Sequence, residues 1–515
     1  VTTFVVVAAG RGSRLGRVGD ELHKCLVPLN GRAVLSRQFD LAPASARIVV
    51  VTGYRAEQLR DYCKLAHPDL DVRFVHDKEW GAGPGASLLT ARSEVDPEDD
   101  LIWTACDTLW ERDESLWQTD NSWIGVAPIP AGTIAARWCR VVPTVDGEFA
   151  QRIDDKTPDV DPRSLASVAC GYVVAADQNV FWSGLDYADS RAGEVQFSSA
   201  LDGVVNAGQP LELRYVRWLD VGDEQAYRAA NASLGAYDPV KPGQATYVLP
   251  DTGRVVKFNA DAERVARRRA RAQSLGTTLL SPEAQARSMP ETPNFVAYEY
   301  VVGPTGYELI DRAQPRDVTA TRQLLQFWTD HFWSTRTALT TEPPNWYDTV
   351  MRFYRDKTFA RVMALPRDLQ SVALDAITRI DWHALAEDNV PGVFHGDFTY
   401  ANVIRSSVDN QWDVIDWRED FGDEILIGDL RYDLGKLLGS CYFHWQNAAH
   451  GDFRQWDAGR HQAAVIRGEV HRFGLNASNV ERIGALTLIN SAPLHAVPMD
   501  EILVTRGARW LERVT

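Results

Sequence analysis

The chain predicts an α/β protein in two parts: an open, doubly wound α/β domain over residues 1–235, then a two-lobed α+β domain over 244–515. Three observations carry this prediction. A short β-branched run at 1–7 empties into a glycine loop, after which strand and helix patterns alternate. The stretch 395–404, His-Gly-Asp-Phe-Thr-Tyr-Ala-Asn-Val-Ile, precedes Val-Ile-Asp-Trp at 414–417, which sets polar residues at loop spacing around a strand, turn and strand. Between them the turn-rich Tyr237-Asp238-Pro239-Val240-Lys241-Pro242-Gly243 marks 236–243 as a linker.

Residues 1–7 read as a buried strand of a parallel sheet, being short, β-branched and continuous. The loop Ala8-Ala9-Gly10-Arg11-Gly12-Ser13-Arg14-Leu15-Gly16 suits phosphate, because glycines let backbone N–H groups approach and arginines bring charge. His23-Lys24-Cys25-Leu26-Val27-Pro28-Leu29 adds a lysine just before an apolar segment. A helix from about Ala33, a strand at 47–52, a helix at 56–65 and a strand at 72–76 continue the alternation. The small residues of 81–88 open another helix. Run 101–107 ends in Asp107, and Trp218-Leu219-Asp220-Val221-Gly222-Asp223 ends a strand in Asp220 before a helix at 224–232. Carboxylates at strand C-termini lie where open α/β sheets build their sites.

These landmarks resemble the sugar-1-phosphate and phosphocholine nucleotidylyltransferases, whose loop reads roughly Ala-Ala-Gly-x-Gly-x-Arg-Leu, followed by a lysine before Leu-x-Pro-Leu and closed by Trp-x-Asp-x-Gly. His23 stands where that family commonly has proline. The resemblance implies a doubly wound Rossmann-like nucleotidyltransferase domain. It makes Arg11 and Lys24 catalytic and puts Ala8, Gly10, Gly12, Ser13 and Arg14 on the nucleotide. Gly83, Gly85 and Ser87 are expected against the base, and Lys156, Gly171, Tyr172 and Glu194 around the acceptor. Asp107 and Asp220 are the expected Mg²⁺ ligands, as nucleotidyl transfer needs an ion that neutralises phosphate repulsion.

In the second part, 246–249, a turn at 250–253 and 254–258 predict a hairpin whose second strand carries Lys257, followed by a helix with Glu263. Run 295–302 ends at Gly303-Pro304 and closes an N-lobe, 244–303; the C-lobe, 304–515, is read as helical from about 317. Arg264, Arg267, Arg268, Arg269 and Arg271 read as a solvated face or a domain contact. Phosphoryl transfer to an alcohol needs a carboxylate to orient the hydroxyl and ligands for metal. Asp397 suits the first role; Asn402, five residues on, and Asp416 suit the second.

This stretch resembles the aminoglycoside phosphotransferase and choline kinase family, which writes its catalytic loop His-Gly-Asp. The run Gly428-Asp429-Leu430-Arg431-Tyr432-Asp433-Leu434-Gly435-Lys436 resembles a segment of kinase-like proteins linked to capsule and surface-polysaccharide synthesis. A two-lobed protein-kinase-like domain follows, with Asp397 catalytic, Lys257 on the ATP phosphates, Glu263 its partner, and Asn402 and Asp416 on Mg²⁺. Residues 244–247 offer no Gly-x-Gly-x-x-Gly lid.

A net charge of −16 argues against nucleic acid or an anionic membrane as partner, since phosphate tracking needs a basic face. Six cysteines without a Cys-x-x-Cys pair, and an apolar run at 4–9 too short for a signal or span, lead us to expect a cytoplasmic protein. Small molecules are the expected partners; oligomeric state is not readable. Together the halves predict a bifunctional enzyme. ATP would phosphorylate a small alcohol or sugar, and a second NTP, with CTP favoured, would take the phosphomonoester into a nucleotide-activated precursor of surface polysaccharide. Choline fits both resemblances, and a sugar or polyol also fits. The alternative is a kinase-like half that senses nucleotide and regulates the other.

Overall fold

The structure, a computed structural model, describes residues 2–158, 160–188, 193–235, 243–275, 292–314, 316–338, 344–495 and 497–514. The chain divides into two compact units, Val1–Gly235 with Ala245–Tyr247, and Ala236–Gln244 with Val248–Thr515. Apart from Gly243, the linker predicted at 236–243 lies outside the described residues.

The first unit is built on a nine-stranded sheet. Its strands are β1 (Thr2–Ala8), β2 (Arg47–Thr52), β3 (Val72–His76), β4 (Asp100–Ala105), β5 (Ser122–Ala127), β6 (Cys139–Pro143), β7 (Ala150–Asp155), β8 (Leu165–Val173) and β9 (Leu211–Tyr215). Four of them, in the order β4-β1-β2-β3, are parallel, with Val6 paired to both Thr104 and Val50. Val5, Val6 and Val7 are buried on both faces of β1, which is why the run reads as continuous rather than alternating. β8 reverses the direction: it runs antiparallel to β4 and β5 and starts a mixed flank that also holds β6, β7 and β9.

After residue 243 comes a three-stranded sheet, β10 (Gln244–Leu249), β11 (Arg254–Asn259) and β12 (Phe295–Glu299), in that order. The predicted turn is Pro250–Thr252, closed by left-handed Gly253. Helix α1 (Ala262–Leu275) follows β11. The rest is mainly helical around one core. Within that lobe, α2 (Lys357–Met363) continues a π-turn at Arg352–Asp356. A hairpin, β13 (Val403–Arg405) and β14 (Trp412–Val414), separates the stretch 395–402 from Asp416, and α3 (Leu430–Tyr442) is buried along nearly its whole length. Among the described residues no helix is long and apolar enough to cross a membrane.

Candidate active sites

In the first unit the loop after β1 is tied down by His23. Its Nδ1 accepts the Cys25 amide (3.1 Å), its Nε2 bonds the Ala8 carbonyl (3.0 Å), and its amide donates to Gln58 (2.8 Å). An imidazole that accepts at Nδ1 and donates at Nε2 is neutral, and burial pushes its pKa down to about 3. Rigidity that a proline would give here comes from three hydrogen bonds.

Those bonds aim Lys24 at Asp107, 3.0 Å away. Gly10 and Gly12 border the lysine; a Cβ at Gly12, whose φ is +70°, would come within 2.7 Å of the Lys24 Cβ. Asp107 follows β4, and the Val221 amide donates to its carbonyl (2.9 Å). Strand Trp218–Asp220 pairs with Thr108–Trp110, Asp220 opposite Thr108. The pairing gathers three side chains around Gly222: a Cβ built there would stand 3.0 Å from Asp220 Oδ1, 3.6 Å from Arg14 Nη2 and 3.7 Å from Asp107 Oδ2.

Burial pushes the Asp107 carboxyl up, but Lys24 and Arg14 outweigh it and hold it below the ordinary range. Asp220 goes the other way. Burial and the charge of Asp107 raise it, against the opposing Gly222 amide at 2.8 Å. Two carboxylates, one raised by the other, fit a divalent cation whose remaining ligands come from phosphate and water. Among the described residues no three His, Cys, Asp or Glu side chains form such a cage themselves.

The other expected contacts divide. Arg11 is exposed, its guanidinium 5.7 Å from the Tyr54 ring centre, and Ser13 starts the turn Ser13–Val18. Gly83 and Gly85 serve a backbone crossing: a Cβ on either would lie 2.4 Å from the Val195 carbonyl oxygen or 2.5 Å from that of Gln196. The crossing is tied by Gly85 N to Val195 O (2.9 Å) and Val195 N to Ala82 O (2.8 Å), and it brings Glu194 beside Gly83. Ser87 is corrected as a base contact, because it is buried and its hydroxyl donates to Asp77 (2.6 Å). Tyr172 is corrected as an acceptor contact. β8 is antiparallel to β4, so its phenol reaches Asp100 (2.6 Å), at the opposite end of β4 from Asp107. Gly171 leaves room for Trp103, whose Nε1 would lie 2.9 Å from a Cβ there. Lys156 is exposed at φ +52°, just after Asp155, whose buried carboxylate takes the Ser198 hydroxyl (2.8 Å).

The second unit repeats the histidine device. His395 accepts the Asp397 amide at Nδ1 (3.2 Å) and bonds the Ile415 carbonyl through Nε2 (2.9 Å); burial takes its pKa down to about 4. From α3, Asp433 accepts the amides of His395 and Gly396, both at 2.8 Å, and burial pushes it up to about 6. One turn later Lys436 pairs with Asp397 at 2.8 Å. Asn402 Nδ2 donates to the Asp397 carboxylate and carbonyl, both at 2.9 Å, which leaves its Oδ1 as a ligand atom. Burial pushes the Asp397 carboxyl up, Lys436 outweighs it, and the net position is below the ordinary range. Gly396, at φ +85°, packs on Arg418: a Cβ there would be 2.5 Å from the arginine Cβ.

Asp416 stands at φ +61° with Lys257 2.6 Å and Arg268 3.4 Å away. The expected Lys257–Glu263 pair is thereby corrected. Glu263 is exposed in the first turn of α1, and the face of α1 toward the loop belongs to arginines at helical spacing. Arg264 and Arg268 pair with Glu419, Arg267 with Asp420 (3.7 Å), and buried Arg271 donates to the Phe394 carbonyl with its guanidinium 4.4 Å from that ring. The basic run is a contact between lobes. Sequence reasoning gave Lys436 no role and read Arg268 only as part of a solvated face or domain contact, not as a partner of Asp416; Asp433 and Lys436 at i, i+3 on one helix were the available signal for the lysine.

With these geometries in hand, residues 4–119 match the MobA-like NTP transferase domain and residues 258–466 the phosphotransferase enzyme family. Over 216 residues the chain is 28% identical to the "Bifunctional protein GlmU" of Burkholderia thailandensis and of Burkholderia mallei, covering 40% of this chain. It thus spans about half, 45%, of those relatives' length. Among solved structures it is similar to UDP-glucose pyrophosphorylase complexed with UDP-glucose (17% identity, TM-score 0.39, 45% of this chain and 98% of the other). UTP-bound UGPase from Acinetobacter baumannii is alike at 17% identity and TM-score 0.39, over 47% of this chain and 95% of the other. The chain is an enzyme that joins a MobA-like NTP transferase domain to a domain of the phosphotransferase enzyme family.

Proposed function

We propose that the second half phosphorylates a small alcohol or sugar with ATP and that the first half couples the phosphomonoester to an NTP, CTP being favoured, to give an activated precursor for surface polysaccharide. The observation that carries this reading is the loop 395–402, where Asp397 is kept anionic by Lys436 and aimed by Asn402. Asp397 orients the attacking hydroxyl; the oxygen–Pγ bond forms, ADP leaves, and the hydroxyl proton passes to the carboxylate or solvent. Lys257 meets the ATP phosphates, while Asn402 and Asp416 are the groups that would hold Mg²⁺.

In the first half the phosphomonoester is already anionic and needs no strong base. One of its oxygens attacks the α-phosphorus and pyrophosphate leaves, with Lys24, Arg14 and Arg11 supplying positive charge. Asp107 and Asp220 would hold the Mg²⁺ that offsets phosphate repulsion. Lys156 and Glu194 remain the acceptor candidates.

The test is mass spectrometry of the purified chain with Mg²⁺, ATP, CTP, UTP, GTP and dTTP, and a panel of alcohols and sugars. A nucleotide-linked product that requires ATP and one further NTP is expected. If only pre-phosphorylated acceptors gave product, the kinase reading would fail and the second half would be a nucleotide-binding module.

A further inference from the structure

Beside Asp397 lies a group of cations that the catalytic reading leaves unused. Lys357 and Arg361 stand one turn apart on α2, and both are half-buried. The Lys357 ammonium is 3.7 Å from the Phe353 ring centre and 5.6 Å from that of Tyr432. Tyr432 and Lys436 share a face of α3, so this ammonium lies next to the lysine that holds Asp397. Arg418 closes the other side. Its amide donates to the His395 carbonyl (3.1 Å), its side chain lies on Gly396, its Nε donates to the Asp420 carbonyl (2.9 Å), and its guanidinium is 5.1 Å from the Phe353 ring centre.

Among the described residues none of Lys357, Arg361 and Arg418 forms an ion pair, whereas Lys257, Arg264, Arg268 and Lys436 nearby all do. Arg418 feels the charges of Glu419 and Asp420 without forming an ion pair with either, but half-buried cations such as Lys357 and Arg361, with aromatic walls and no carboxylate in an ion pair, are costly unless an anion joins them. The lysine reports the surplus: burial, then Arg418, Lys436 and Arg361, drive its pKa well down, against the weaker pull of Asp420. The π-turn at Arg352–Asp356 that leads into α2 is a distortion frequent at functional sites.

We propose that the alcohol phosphorylated at Asp397 carries an oxyanion, a carboxylate or a phosphate, and that Lys357, Arg361 and Arg418 bind it. The inference rests on the kinase reading of this half and names its substrate class. It disfavours choline, whose quaternary ammonium would face unpaired cations. The aromatic walls do not reverse this, because cation–π attraction already serves Lys357 itself.

The test uses the full chain and a set that differs chiefly in charge: glycerol, glycerate, glycerol 3-phosphate and choline, each with ATP and Mg²⁺. ADP release is followed, and binding of each compound and of inorganic phosphate is measured by calorimetry. Glycerate or glycerol 3-phosphate should bind at least tenfold tighter than glycerol, and which of them does so separates carboxylate from phosphate. The double variant Lys357→Gln/Arg361→Gln should lose that preference with the KM for ATP within twofold. Arg361→Gln alone, the milder change, should lose part of it. Preference for glycerol or choline, or anion binding unchanged in the variants, overturns the proposal. ADP release unchanged in Asp397→Asn would instead sink the kinase reading.

Discussion

In the first unit Asp107 and Asp220 face a common point, with Lys24 bonded to one and Arg14 near both, and Asp220 is pushed toward its protonated form. In the second, Asp397, Asp416 and Glu419 each have a cation of their own: Lys436, Lys257 and an arginine of α1. In the first site, among the described residues, Asp220 therefore has no ion pair of its own until a divalent cation arrives. In the second the protein's own ammonium and guanidinium groups already neutralise the carboxylates, and on the proposed kinase reading Lys257 would exchange Asp416 for phosphate when ATP binds. Common to both is a neutral histidine that pins the loop, His23 in one and His395 in the other.

The largest effect that would break this comparison is on turnover. Asp397→Asn should cut phosphorylation about a hundred- to ten-thousandfold and leave nucleotidyl transfer from a pre-phosphorylated acceptor unchanged, as separate assays of ADP and pyrophosphate would show. Next comes stability. Lys24→Met strands Asp107 beside Asp220 and should cost about 3 kcal/mol in denaturant unfolding of the first unit. Lys257→Met leaves Arg268 on a half-exposed Asp416 and should cost at most about 1 kcal/mol. Equal costs would show that the sites are not built differently.

Acid sharpens the contrast. His23, down to about 3, and His67, down to about 4, are neutral in the folded first unit. Their contribution is fully present above the unfolded histidine value of about 6.5 and fades as pH falls toward the folded values. In the second unit His395 behaves alike, but Asp433, raised to about 6, contributes in the opposite sense: its stabilisation is present below the unfolded value and lost as pH rises through 6. Scanning calorimetry between pH 6.5 and 5 should show the first unit's transition falling more steeply, and His23→Gln should flatten it. The smallest effect expected is that of Glu263→Ala, which should leave the KM for ATP within twofold because Lys257 pairs with Asp416.

Strands 47–52 and 72–76 were legible to the residue, since β-branched apolar runs there are bounded by turns. Asp107 and Asp220 were legible as strand ends. The direction of β8 was not, because an alternating pattern fixes faces but says nothing of parallel or antiparallel pairing, and Tyr172 was misplaced with it. Ion-pair partners were equally hidden. Which lysine meets Asp397, and whether Glu263 or Asp416 takes Lys257, depends on how α1 and α3 dock, and local spacing does not encode docking. The π-turn before α2, which shifts every later side chain, leaves no trace in a 3.6-residue period.

Asp433 takes the amides of His395 and Gly396 while it is itself wholly buried. Those amides belong to no helix or strand, and in a free loop they would trade their protons for deuterium within moments. Here exchange must wait until α3 lets the carboxylate go, and α3 lies in the core of its unit. The slowest-exchanging part of the second unit should therefore run through the very loop proposed to do its chemistry.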